Sequence, residues 1–135
     1  MIIDKIRTTV ETLANFYEGE GLVREAYNLD VMLNTFEDRA HKTALDSQPD
    51  TKTLEGYIDD LMIMLKAVVI NVENNIDKLG KASIEDQKKI KFRFKLNHLN
   101  FKKGLNKLQS NTAEAQRLTE SIFKHIRDLK KDKNG

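Results

Sequence analysis

The residues best suited to binding chemistry lie between positions 88 and 107. No acidic residue occurs between Gln87 and Ala113. The basic side chains of this segment are Lys88, Lys89, Lys91, Arg93, Lys95, Lys102, Lys103 and Lys107. Cations interleaved with aromatic side chains can bind a polyanion such as nucleic acid through its phosphates. Because lysine dominates, sequence-independent contact is favoured over the bidentate recognition typical of arginine.

The same segment has two apolar faces if it is helical. At about 100° per residue, one face is predicted to enter the core and contains Ile90, Phe94, Phe101, Leu105 and Leu108. Phe92, Leu96 and Leu99 fall on nearly the opposite side, and Lys91, Lys95 and Lys102 lie between the two faces. Such a helix is either enclosed by neighbours, with packed lysine stems, or leaves one face for a partner. The second alternative makes Phe92, Leu96 and Leu99 candidate partner-binding residues.

A short motif in this segment leads to a third hypothesis. In Arg93-Phe94-Lys95-Leu96-Asn97-His98, four residues separate an arginine from a histidine. This spacing resembles that of the HEPN (higher eukaryotes and prokaryotes nucleotide-binding) ribonuclease family, whose members are helical and of similar length. The match covers six of 135 residues, and Phe94 stands where a polar residue commonly follows the arginine. The resemblance implies a metal-independent ribonuclease in which Arg93 stabilises a phosphate and His98 transfers a proton.

Other chemistry finds no support in the residue types. The chain has no cysteine, which excludes disulfides, thiolate metal sites and cysteine nucleophiles. Asp38 and His41 have the spacing of a di-iron ligand pair, but no second such pair occurs. The sequence therefore predicts no catalytic set, no metal site and no cofactor.

Charge is distributed unevenly along the 135 residues. Residues 1–60 carry 6 basic and 13 acidic side chains, a net charge of −7, whereas residues 61–135 carry 17 and 8, a net charge of +9. The two halves can attract each other within one chain or between two copies. We also expect no signal peptide, because charges interrupt the apolar residues at the start. The longest apolar stretch, Leu61 to Val72, is shorter than the about 20 residues that span a bilayer, so we expect no membrane-spanning segment and a cytoplasmic protein.

The elements that position these residues are predicted to be helices. Apolar residues recur at three- and four-residue intervals from Ile3 to Tyr17, from Leu22 to Ala40, and at Leu54, Ile58, Leu61, Leu65, Val68, Val72, Ile76 and Leu79. A further stripe contains Ala115, Leu118, Ile122, Ile126 and Leu129. Residues 84–131 form either one bent helix or two helices. Residues 90–96 alternate strictly, but the helical pattern on both flanks favours helix.

Helix ends are predicted from small and polar residues. We expect breaks at Gly19-Glu20-Gly21 and at the Pro49 turn, with residues from Asp50 to Thr53 offering caps for the third helix. Gly80 is predicted to end that helix, and Ser83 to begin a capping box for the fourth. Additional apolar residues in the third helix, including Ile63 and Ile70, predict that other helices surround it.

These patterns predict an all-α protein: a four- or five-helix bundle of long antiparallel helices. Residues 1–131 form a single domain, and residues 132–135 form a frayed tail. The favoured function is a non-enzymatic protein-binding module, such as an adaptor, small chaperone or inhibitor, that associates with itself or another protein. The alternative is nucleic-acid binding through Lys88, Lys91, Arg93, Lys95, Lys102, Lys103 and Lys107.

Overall fold

A computed structural model describes residues 2–46, 50–74, 80–108 and 112–134. This part of the chain forms five helices: α1 (Ile2–Gly19), α2 (Val23–Leu45), α3 (Thr51–Asn74), α4 (Lys81–Lys107) and α5 (Ala113–Asn134). The all-α prediction is confirmed, and α4 and α5 are separate helices. The alternating residues 90–96 lie inside α4, because neighbouring helices bury one side of this segment.

Four of the helices form a closed ring. Helix α1 packs against α2 and α4, and α3 packs against α2 and α4. Contacts between α1 and α4 show that the two helices are antiparallel, because Tyr17 contacts Gln87 while Thr9 contacts Asn97. Helix α5 lies outside the ring against α2, and its His125 reaches Asp4 of α1.

The core consists largely of the predicted apolar stripes. Ile6, Leu29 and Leu65 are fully buried, one from each of the first three helices. The predicted core face of α4 is confirmed, since Ile90, Phe94, Phe101, Leu105 and Leu108 are all buried. The stripe predicted for α5 is partly wrong, because Leu118 is 49% exposed. Ala115 and Ile126 of that stripe are buried as predicted, and Phe123, which the stripe did not include, completes the buried side of α5.

The break predicted at Gly19-Glu20-Gly21 is present, and Asp50 is the residue of the predicted range that caps the third helix. Gly21 has a φ of +82°, which glycine adopts without steric cost, and it ends α1 in a Schellman turn. In this turn Leu22 N donates to Tyr17 O at 2.8 Å and Gly21 N to Glu18 O at 3.1 Å. At the start of α3, Asp50 Oδ1 accepts from Lys52 N at 3.0 Å.

The predicted boundary between α3 and α4 requires correction. Gly80 precedes α4 as its N-cap residue, with a φ of −76° and a ψ of 167°, so its predicted role as the C-cap of α3 is wrong. Ser83 is not an N-cap either, because α4 begins at Lys81 and the Ser83 hydroxyl donates to Glu20 Oε1 at 2.8 Å. Pro49, Ile76 and Leu79 lie outside the described residues.

The prediction that helices surround α3 is also wrong. Helix α3 packs against α2 and α4, which leaves a third side uncovered in the described structure. On that side Ile63 is 65% exposed and Ile70 is 49% exposed. No helix in the described part of the chain is both long and apolar enough to cross a membrane.

Candidate binding face

Helix α4 carries a row of apolar side chains on its outer side. Phe92, Leu96 and Leu99 are 68%, 47% and 48% exposed. They face outwards because α1 and α3 occupy the other two sides of the helix, where Phe94 and Phe101 are buried. We call Phe92, Leu96 and Leu99 the α4 outer face. The structure thus places the three predicted partner-binding residues together on one open surface.

The structure divides the predicted polyanion-binding cations into two groups. In the first group, Lys91 Nζ lies 3.7 Å from Glu73 Oε1, and Lys88 Nζ lies 3.5 Å from Glu85 Oε1. Lys102 Nζ lies 3.2 Å from Asp59 Oδ1 and 3.7 Å from Glu55 Oε1. Both Lys91 and Lys102 therefore have carboxylate partners on α3, which partly neutralise them.

The second group consists of Arg93, Lys95, Lys103 and Lys107. Their side chains are exposed, and no carboxylate within the described ranges pairs with them. Around Phe92 and Leu96 the surface forms an open depression of about 430 Å³, which Glu85, Lys88, Lys89 and Arg93 also line. The α4 outer face is therefore an apolar strip with cations along its borders.

A polar cluster joins α3 and α4 beside this face. His98 Nε2 lies 2.9 Å from Asp59 Oδ1, the same oxygen that Lys102 approaches. Asp59 and Glu55 were not singled out as partners in the sequence analysis, because their role depends on which helix lies opposite. The sequence signal for this cluster was the four-residue interval between His98 and Lys102. The cluster therefore connects α3 to α4.

Arg93 and His98 lie on different sides of α4. His98 faces Asp59 on α3, whereas Arg93 lines a groove of about 320 Å³ beside α1, together with Lys5, Thr8 and Thr12. The two residues that the HEPN resemblance implies as a catalytic pair therefore lie against different neighbouring helices.

Helix α2 carries a second apolar strip that the sequence analysis missed. Val23, Tyr27 and Val31 are 65%, 66% and 43% exposed, and they recur every fourth residue. Asp30 is also exposed next to them. The sequence contained a signal for this strip, because its three apolar residues are spaced four apart and do not belong to the core stripe of Leu22, Ala26, Leu29 and Leu33. We call Val23, Tyr27, Asp30 and Val31 the α2 outer face.

A metal site needs several ligating side chains close together. Across the described ranges, no group of three or more His, Cys, Asp or Glu side chains could hold a metal ion. The chain matches no known protein family, no curated protein sequence and no solved structure.

Proposed function

We propose that this protein is a non-enzymatic protein-binding module that uses the α4 outer face to hold an acidic amphipathic helix of a partner, as an adaptor, small chaperone or inhibitor does. One observation carries the proposal: Phe92, Leu96 and Leu99 are exposed together on a helix whose other sides are packed. Aromatic and aliphatic side chains that cluster in this way form the anchors of helix-binding surfaces.

The charges around these residues determine the chemistry of the partner. Arg93, Lys95 and Lys103 border the apolar strip without carboxylate partners in the described structure. Two copies of this face would place like charges opposite each other, which is unfavourable. An apolar strip flanked by carboxylates fits better, since it covers the exposed rings and pairs with the cations.

Nucleic acid remains the competing ligand, and two features make a protein the better candidate. Lys91 and Lys102 are paired with α3 carboxylates, which reduces the positive potential available to phosphates. The centre of the face is apolar rather than cationic, as the buried centre of a protein interface is.

The test uses fluorescence anisotropy with labelled synthetic helices that share one apolar strip and differ only in their flanking charges. We expect the acidic helix to bind and the basic helix to show no binding. Labelled mixed-sequence RNA and DNA oligomers are titrated in parallel across a salt series. Nucleic-acid binding with a steep salt slope, without binding of the acidic helix, would contradict the proposal. RNA cleavage that His98→Ala abolishes would instead support a ribonuclease.

Matched substitutions locate the binding face. Phe92→Ser removes the most exposed anchor of the α4 outer face, so we expect affinity for the acidic helix to fall by at least about tenfold. Leu118→Ser makes a comparable change at a side chain of α5 that is 49% exposed, and it should leave affinity unchanged. Circular dichroism establishes that both variants are folded. Equal losses of affinity in the two variants would remove the α4 outer face as the site.

A further inference from the structure

The ion pairs between α3 and α4 define the register of these two helices. Glu73 of α3 pairs with Lys91, and Asp59 pairs with Lys102. Lys66 lies midway between Asp59 and Glu73, at seven residues from each. On α4, Lys95 shares the side of Lys91 and Lys102, since it lies four residues after the first and seven before the second. The antiparallel register therefore places Lys66 opposite Lys95.

These two lysines differ from the pairs at either end. Both are exposed, and neither has an ion-pair or hydrogen-bond partner in the described structure. Exposed apolar side chains adjoin both lysines: Ile63 and Ile70 flank Lys66, and Phe92 and Leu99 flank Lys95. We call this surface the α3–α4 seam; it contains Ile63, Lys66, Ile70, Phe92, Lys95 and Leu99. It presents two unpaired cations between two rows of exposed apolar side chains.

The chain itself carries a surface with the opposite pattern. On the α2 outer face, exposed apolar side chains flank Asp30, whose carboxylate pairs with no described residue. This face belongs to the acidic half of the sequence and the seam to the basic half. In a contact between the two surfaces, the Asp30 carboxylate pairs with the two lysines of the seam. The exposed apolar side chains of each surface cover those of the other.

We propose that a second copy of this chain docks its α2 outer face on the α3–α4 seam, with Asp30 between Lys66 and Lys95. The inference rests on the proposed function, because Phe92 and Leu99 of the α4 outer face are part of the seam. It identifies the partner of that face as another copy of this chain. Since the two surfaces differ, the contact is heterologous, and copies join head to tail.

The test is sedimentation velocity over a concentration series of the full chain. We expect the average mass to rise above the 15.6 kDa monomer with concentration. Asp30→Lys and Lys95→Glu should each remain monomeric, because either change places like charges in the contact. Lys124→Glu makes the same charge change at an exposed residue of α5 and should associate like the wild type.

Mixing the two variants gives the decisive measurement. The Lys95→Glu chain retains its α2 outer face and the Asp30→Lys chain retains its seam, so the equimolar mixture should associate although neither variant does alone. A mixture that stays monomeric, or single variants that still associate, would overturn the inference. If the wild type is monomeric at all concentrations but binds the acidic synthetic helix, the second copy is wrong and the proposed function stands. If neither occurs, both proposals fail.

Discussion

The phenol of Tyr17 lies in the core and depends on one polar partner. Its hydroxyl donates to Gln87 Oε1 at 2.6 Å, and both side chains are fully buried. Burial raises the pKa of Tyr17 well above its usual value, and the charges of Glu73 and Glu25 add to this effect. The Gln87 Nε2 group, also buried, has no hydrogen-bond partner in the described structure. This pair therefore links α1 and α4 at the cost of one unsatisfied donor.

We predict that removing both polar groups of this pair destabilises the protein less than removing the Tyr17 hydroxyl alone. Tyr17→Phe should lower the free energy of unfolding by about 1–2 kcal/mol, because it leaves the Gln87 amide buried without a partner. Adding Gln87→Leu should recover part of that loss, since no polar group then remains buried. Urea denaturation of the wild type, both single variants and the double variant measures the effect. A double variant whose loss equals the sum of the single losses would contradict this account.

Asp50 provides a second prediction at the scale of one residue. A hydrogen bond from the Thr53 side chain, with others from the Thr53 and Lys52 backbone groups, holds the pKa of Asp50 below its usual value. Asp50→Ala should therefore destabilise the protein by about 0.5–1 kcal/mol near neutral pH. Because the folded pKa is lowered, the carboxylate stabilises the fold above about pH 4 and loses this contribution as the pH falls further.

The measurement for Asp50 is thermal unfolding across pH. The difference between wild type and Asp50→Ala should shrink as the solution becomes more acidic. Asp50→Ser is the matched control, because a serine hydroxyl caps the helix without titrating. If Asp50→Ser shows the same acid-dependent change relative to Asp50→Ala as the wild type does, the titrating carboxylate is not the cause.

At the scale of the element, the buried faces of the helices could be predicted and their contacts could not. The core face of α4 follows from the spacing of Ile90, Phe94 and Phe101, since helical periodicity is local. The pairing of Lys91 with Glu73 depends on the register of α3 against α4, which no local pattern contains. The Ser83 prediction failed for a related reason: its hydroxyl donates to Glu20, a residue distant in sequence.

Helix α5 is the element whose attachment is simplest to test. Phe123 is fully buried, whereas Leu118 on the same helix is 49% exposed. Phe123→Ala should lower the free energy of unfolding by about 3–5 kcal/mol, because it leaves a cavity beneath the helix. Leu118→Ala should change it by less than about 0.5 kcal/mol. Chemical denaturation measures both values, and comparable losses would show that α5 does not pack through Phe123.

At the scale of the whole molecule, the charge asymmetry has a physical location. The acidic half of the sequence forms α1 and α2, and α2 carries the exposed apolar strip that contains Tyr27. The basic half forms α4. Sequence analysis identified the asymmetry and the apolar residues of α4 because both are visible in composition and spacing. It missed the α2 outer face and Lys66, since exposure at those positions depends on which sides of each helix the neighbours leave open.

The closed ring of four helices also has a consequence for synthesis. Of the four ring helices, α1 is made first, yet one side of it packs against α4, the last of the four to be made. Until then Tyr17 has no Gln87 to accept its hydroxyl hydrogen, and the neighbouring apolar surface has no cover. Uncovered apolar surface on unfinished chains promotes aggregation. A growing chain of this protein is thus exposed to aggregation until α4 has been made.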